Sequence, residues 1–401
     1  MTPSIATPDG PARLDSDDDR DEPEREIDEW LALEFGLSFD PFRQLDAAQD
    51  NHLHEYMIDH EMFDVLHSTA HTFLFAPAGG GKSAFRVRLA RACRVGESGR
   101  RLFPVIYLLP PAVITASPHE LWRAHEEAML RALAFELLLW LAYHPNELSR
   151  LTSDYQQSLR ALLERWLPTS LDELLNQITD IEALTKISRG YDPTARLPNP
   201  PDKAMLQRFR AVLSELRPAE NQRDNVGTWD DCVKVVRQAL QFDAIYLLID
   251  GVDAFPETFN QPSRAWELLQ PILAQRNHWT NERVFVKAFL PSEMAESSPL
   301  TKDVTRGTIN WTPDALKLLL QRRLEAVSGI TPAGLSLLAD LELFNIEDRV
   351  VKAIRPYPRE ALRFVERMFL EHVRDKGPKG RLSIADFQGA SAWYRQSSPT
   401  S

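Results

Sequence analysis

The residues with the clearest chemical potential lie together in Ala78-Gly79-Gly80-Gly81-Lys82-Ser83. Small residues let the backbone come close to an anion, and glycine reaches the φ angles that turn successive N–H groups toward it. The backbone of Ala78, Gly79, Gly80, Gly81, Lys82, Ser83 and Ala84 can therefore cradle phosphate oxygens. The Lys82 ammonium can reach the β- and γ-phosphates, and the Ser83 hydroxyl can ligate Mg²⁺. The full pattern places a glycine five residues before Gly81, where this chain has Ala76. Pro77 biases Ala76 toward extended geometry, so the preceding strand can run one residue longer and leave the phosphate end of the motif intact.

A second set lies far along the chain, in Tyr246-Leu-Leu-Ile-Asp250-Gly251-Val252-Asp253. An apolar strand ending in an acid suits a metal ligand opposite the Ser83 hydroxyl, and Asp253 can orient or deprotonate an attacking water. One acid after an apolar run is commonly a loop cap. Together with the glycine loop, in this order, the pair points to Mg²⁺-nucleotide chemistry. The strand ending in Asp250 is expected beside the strand that leads into the glycine loop.

Positioning these groups requires an α/β fold. His71–Ala76 reads as a buried parallel strand, and Lys82–Gly96 as a helix closed by Gly96. Leu102–Pro111, Ala244–Phe255 and Glu282–Glu293 read as further strands, with Gly307–Thr312 a short fifth. Glu55–His67 reads as a helix before the first strand. The expectation is a three-layer core with a mostly parallel sheet and helices on both faces. The stretch between the second and third strands is too long for an ordinary crossover and reads as a helical insertion. The resulting division is an acidic disordered arm (1–30), a core (31–117 and 241–310), the insertion (118–240), a helical lid (311–375) and a tail (376–401). Trp122, Trp140, Trp166 and Trp229 fall at helical spacing, which is more often core than a ligand platform, and the residues do not choose between core and a recognition surface.

The glycine loop and the strand LLIDGVD resemble the additional-strand P-loop ATPases. The resemblance is to the STAND class (NACHT-type) and to AAA+ proteins of the Orc/Cdc6 type, with bacterial KAP-type ATPases also similar. It implies that Gly79–Ser83 bind ATP phosphates, that Asp250 is the Walker B acid on Mg²⁺, and that Asp253, with Lys82, serves hydrolysis. Ser292 or Glu293 would occupy the sensor 1 position, unless they are ordinary loop residues. The segment PYPREALRF resembles the start of a sensor 2 helix, from which Arg359 would reach the γ-phosphate. The bland reading is a surface arginine by a proline turn. Two positions depart from the pattern: Gly251 stands where AAA+ proteins usually have Glu, and Ala254 where NACHT-type proteins do. Glu257 is the nearest alternative base. The implied function is Mg-ATP binding and hydrolysis as a nucleotide-driven conformational switch, with a protein partner or self-association as output. The alternatives are a nucleotide-binding scaffold with little turnover and an Orc/Cdc6-like DNA-associated ATPase.

Composition narrows these options. The 401 residues carry a formal net charge of −12, which opposes general phosphate-backbone binding and disfavours DNA as a partner. Residues 1–30 hold eleven acids against three bases. Residues 347–381 hold ten bases and six acids, a mildly basic stretch that reads as ordinary mixed-charge helix. Cys93 and Cys232 form no close pair, and the acidic start has no apolar signal-peptide core, which fits a cytoplasmic setting. Met129–Tyr143 is the most apolar run, but it is shorter than a bilayer span and contains Arg131 and Glu136. No Asn-Lys-x-Asp guanine-reading motif is present.

Overall fold

The computed structural model describes residues 22–47, 49–191, 201–216 and 226–397. They fall into two compact units. One comprises Gln44–Thr312 with Tyr357–Arg359; the other is built from 22–43, 313–356 and 360–397.

Five strands form the first unit's sheet: β1 Thr72–Ala76, β2 Leu102–Leu108, β3 Ala244–Asp250, β4 Val284–Pro291 and β5 Thr305–Thr308. All pairings are parallel, and the order is β2-β3-β4-β1-β5. This sheet, covered on both faces, is the α/β architecture expected. One detail corrects the expectation: β3 does not lie beside β1, because β4 intervenes and pairs with both. The last strand also starts two residues earlier than the sequence suggested. Pro104 is tolerated in β2 because that strand is an edge.

Strands β1 to β4 are apolar on both faces, as burial between two helical layers requires, whereas the edge strand β5 (Thr-Arg-Gly-Thr) is only half-buried. Phe73, Phe75, Tyr107, Leu247, Ile249 and Val286 point to one face. Leu74, Ala76, Ile106, Tyr246, Leu248 and Phe289 point to the other. The second face is covered by the helix Lys82–Val95, through Phe85, Leu89 and Cys93. The first is covered by the helices that run from Leu121 to Leu240 and by Pro262–Ala274. The stretch read as a helical insertion is helical and serves as the β2-to-β3 crossover itself, and its apolar residues share one core with the sheet. Leu121–Tyr143 buries twelve residues, among them Met129, Leu133 and Leu137. Trp229 is buried in the same core, and Trp122, Trp140 and Trp166 pack against it. The proline-rich loop read at 189–202 lies largely outside the described residues.

Two buried charged side chains tie elements of this unit together. Lys287, on central β4, donates to Ser68 O (2.7 Å), Ala70 O (2.8 Å) and Thr72 Oγ1 (3.0 Å) and so ties down the lead into β1. Burial pushes its ammonium down to about 7. Arg94, on the helix Lys82–Val95, donates from Nε to Glu136 (3.1 Å) and joins that helix to Leu121–Tyr143. Cys93 and Cys232 are buried as free thiols.

The expected helix over 55–67 is reduced to a 3₁₀ turn at Leu53–Glu55 and a short helix at Met62–Leu66. His60 interrupts them: its Nδ1 accepts the Met62 N–H at 3.1 Å, and its ring stands edge-on to Phe85 and Trp311.

In the second unit the acidic arm is shorter than expected. Glu22–Phe35 is a helix with Ile27, Trp30 and Leu31 buried, an i, i+3, i+4 stripe that the acidic composition masks. The rest of the arm, 1–21, lies outside the described residues. Trp30 donates from Nε1 to Gly380 O (2.8 Å) and meets Phe369 edge-on. The expected tail also belongs to this unit. Helix Ile384–Ser397 carries Asp386, which accepts from His372 Nδ1 at 3.1 Å in a buried pair. Among the described residues no helix is long and apolar enough to cross a membrane.

Replacing Arg94 with Met leaves Glu136 as a buried charge without its arginine. Chemical denaturation is expected to show a loss of about 3–5 kcal/mol, most of it recovered in Arg94→Met/Glu136→Leu.

Candidate functional site

Strand β1 ends at Ala76, and the helix begins at Lys82. Between them Gly79 (φ +76°) and Gly81 (φ +95°) take left-handed conformations that L side chains avoid. Gly81 caps the helix N-terminus without any side-chain cap, so the first-turn N–H groups point outward with the positive end of the helix dipole. Gly80 explains how Ala76 is accommodated. A Cβ at Gly80 would lie 2.9 Å from the Ala76 Cβ and 3.0 Å from Pro77 O. The methyl that the expected glycine would lack occupies space that Gly80 vacates.

Lys82 is buried and folds back over the loop. Its Nζ lies 3.1 Å from Ala76 O, 3.4 Å from Pro77 O and 3.2 Å from Asp253 Oδ2. One helical turn on, Arg86 donates from Nε to Asp250 Oδ2 at 3.0 Å, and the Gly251 N–H donates to Asp250 Oδ1 at 2.8 Å. The Arg86 and Asp250 side chains are only 1% and 6% exposed, against 26% for Asp253. Two cations of the helix are thus paired with two acids, one ending β3 and one in the turn after it. Gly251 has φ +75° and opens the turn in which Ala254 N–H bonds Gly251 O. That left-handed turn brings Asp253 back toward Lys82, and a glutamate at 251 would be strained there.

The structure gathers Ala78, Gly79, Gly80, Gly81, Lys82, Ser83, Ala84, Asp250 and Asp253 around the C-terminal ends of β1 and β3. Ser83 is half-buried in the first helical turn. Ala78 and Asp253 line a cavity of about 90 Å³ with Thr258, Asn260, Pro291 and Glu293. Glu293 therefore shares the site's open space. Glu257 is exposed and does not line the cavity, and neither does Ser292, in the turn after β4. Arg359 groups with the α/β unit: its backbone N–H donates to Gly79 O at 3.3 Å, and a Cβ on Gly79 would meet its Cβ at 2.8 Å.

Two residues that sequence reasoning passed over complete the site. Arg86 was legible only as an arginine four places after Lys82, hence on the same helical face. Trp311 was assigned to a strand; instead its Nε1 donates to Gly80 O at 2.9 Å, and its ring stands against Gly81.

The oxygen groups of Ser83, Asp250 and Asp253 suit Mg²⁺, which needs few protein ligands when phosphates supply the rest. Among the described residues no group of three or more His, Cys, Asp or Glu is arranged to hold a metal by itself. No family model, curated protein or solved structure matches this chain.

The fit of Ala76 against Gly80 is testable by a double-mutant cycle. Gly80→Ala is expected to destabilise by about 1–3 kcal/mol through overpacking. In an Ala76→Gly background the loss should shrink by at least about 0.5 kcal/mol in thermal or chemical unfolding. Equal losses in both backgrounds would contradict the contact.

Proposed function

We propose that this chain is a nucleoside-triphosphate-binding P-loop ATPase of the additional-strand type, which uses ATP with Mg²⁺ as a conformational switch. The observation that carries the reading is the glycine loop itself. Left-handed Gly79 and Gly81 open onto an uncapped helix N-terminus, and buried Lys82 lies across that loop facing Asp253. Backbone donors, a dipole and a cation converge where a phosphate chain would sit. The sheet order supports the reading as well, because β4 lies between the loop strand and the acid strand. Such an extra strand is what the name of the class describes.

In this reading the loop N–H groups bind and orient the β- and γ-phosphates, and Lys82 turns from Asp253 to them. Ser83 and one carboxylate at the end of β3 are the groups that would hold Mg²⁺, which supplies charge neutralisation when bound. Asp253 or Glu293 would orient the attacking water across the small cavity. Arg359, which bonds Gly79 through its backbone N–H, is the arginine placed to respond to the loop's state. The output is partner binding or self-association.

A scaffold with little turnover is the second reading. Gly251 and Ala254 stand where a glutamate is expected, and the alternative Glu257 is exposed and does not line the cavity.

Lys82→Ala is expected to weaken Mg-ATP binding by roughly 10- to 100-fold, the worth of a charge-assisted hydrogen bond. Equilibrium binding, with phosphate release followed in the same samples, tests it. Binding without release by the wild type favours the scaffold. Equal binding by wild type and variant sinks the P-loop reading.

A further inference from the structure

Lys82 has three N–H bonds, and three acceptors surround its Nζ: Ala76 O, Pro77 O and Asp253 Oδ2, at 3.1, 3.4 and 3.2 Å. To reach a phosphate it must release at least one of them. The two carbonyls lie at the end of β1 and the start of the loop, six and five residues before Lys82. Asp253 belongs to another turn, is the more exposed partner, and lines the cavity that Ala78 also lines. It is the group that Lys82 can leave.

Asp250 is held differently. Both of its oxygens accept hydrogen bonds, one from Arg86 Nε and one from the Gly251 N–H. The acid and the guanidinium are almost fully buried, so neither can exchange its partner for water. Separating them would leave a buried charge uncompensated on each side. A divalent cation seated directly on Oδ2 would also stand next to a fixed positive charge.

We infer that Asp253, rather than Asp250, is the carboxylate that a bound nucleoside triphosphate sets free to meet a divalent cation, and that Arg86 is a positioning residue that keeps Asp250 committed to the fold. This rests on the triphosphate reading above. Before binding, the four charges cancel in two pairs. Once the phosphates take Lys82, Asp253 stands unpaired beside a polyanion, and a cation is needed between them. The dependence of binding on Mg²⁺ then runs through Asp253.

The test measures ATP affinity with Mg²⁺ and with EDTA for wild type, Asp253→Asn and the neutral pair Arg86→Met/Asp250→Asn. Thermal unfolding of the same samples confirms that each is folded. Asp253→Asn changes a partly exposed side chain and keeps the test valid if the buried double variant does not fold. In wild type, Mg²⁺ is expected to strengthen binding about tenfold or more. In Asp253→Asn the ratio should fall toward one, with tighter binding in EDTA than wild type because Lys82 is released and repulsion removed. The folded double variant should keep the wild-type ratio. An Asp253→Asn protein with the wild-type ratio, or a double variant that loses it, overturns the inference. Wild type that binds ATP equally well with and without Mg²⁺ also overturns it, while the P-loop reading stands. Wild type that binds no ATP under either condition overturns both.

Discussion

The separation of β1 from β3 by a whole strand governs the site. Neighbouring strands lie about 4.8 Å apart, so the end of β3 is roughly 10 Å from the end of β1. No backbone hydrogen bond joins the glycine loop to the acids, and long side chains have to span the gap. Lys82 and Arg86, successive on one face of the loop's helix, do so to Asp253 and Asp250. The two pairs differ in their surroundings. Arg86–Asp250 is buried, and removing either partner alone would cost several kcal/mol. Lys82–Asp253 borders open space. Under the proposed function, a rigid pair beside an exchangeable one lets the loop change partners without loosening the fold that holds it.

The rest of the α/β unit keeps those strand ends in place. The sheet is sealed on one face by the loop's own helix and on the other by the long crossover between β2 and β3. That crossover covers sheet surface that would otherwise meet water, which is the reason for its apolar helix Leu121–Tyr143. Lys287 and Arg94 add polar ties, one bonding the segment before β1 and the other bonding Glu136 across two helices.

Much of this was legible in the sequence. The glycine loop, the helix closed by Gly96 and the acid at the end of β3 were all marked by local signals: glycine φ preferences, apolar runs and their stops. What was not legible depends on tertiary neighbours. No local signal in the sequence places β4 between β1 and β3, since strand order is decided by crossovers. Arg86 looks like any basic helix residue until Asp250 is brought to it, 164 positions away. The role of Gly80 follows only from the contact it would make with Ala76. Trp30 and its neighbours were hidden within acidic composition, although their spacing is helical. The length of the β2–β3 segment suggested an insertion rather than a crossover because length carries no information about which surface a helix covers.

A crystal structure with a non-hydrolysable ATP analogue and Mn²⁺ tests the central claim most directly. The account predicts the phosphates on the Gly79–Ser83 backbone, Lys82 Nζ turned from Asp253 to the β- and γ-oxygens, and Arg86 still bonded to Asp250. A nucleotide bound elsewhere, or one at the loop with Lys82 still on Asp253, would contradict it.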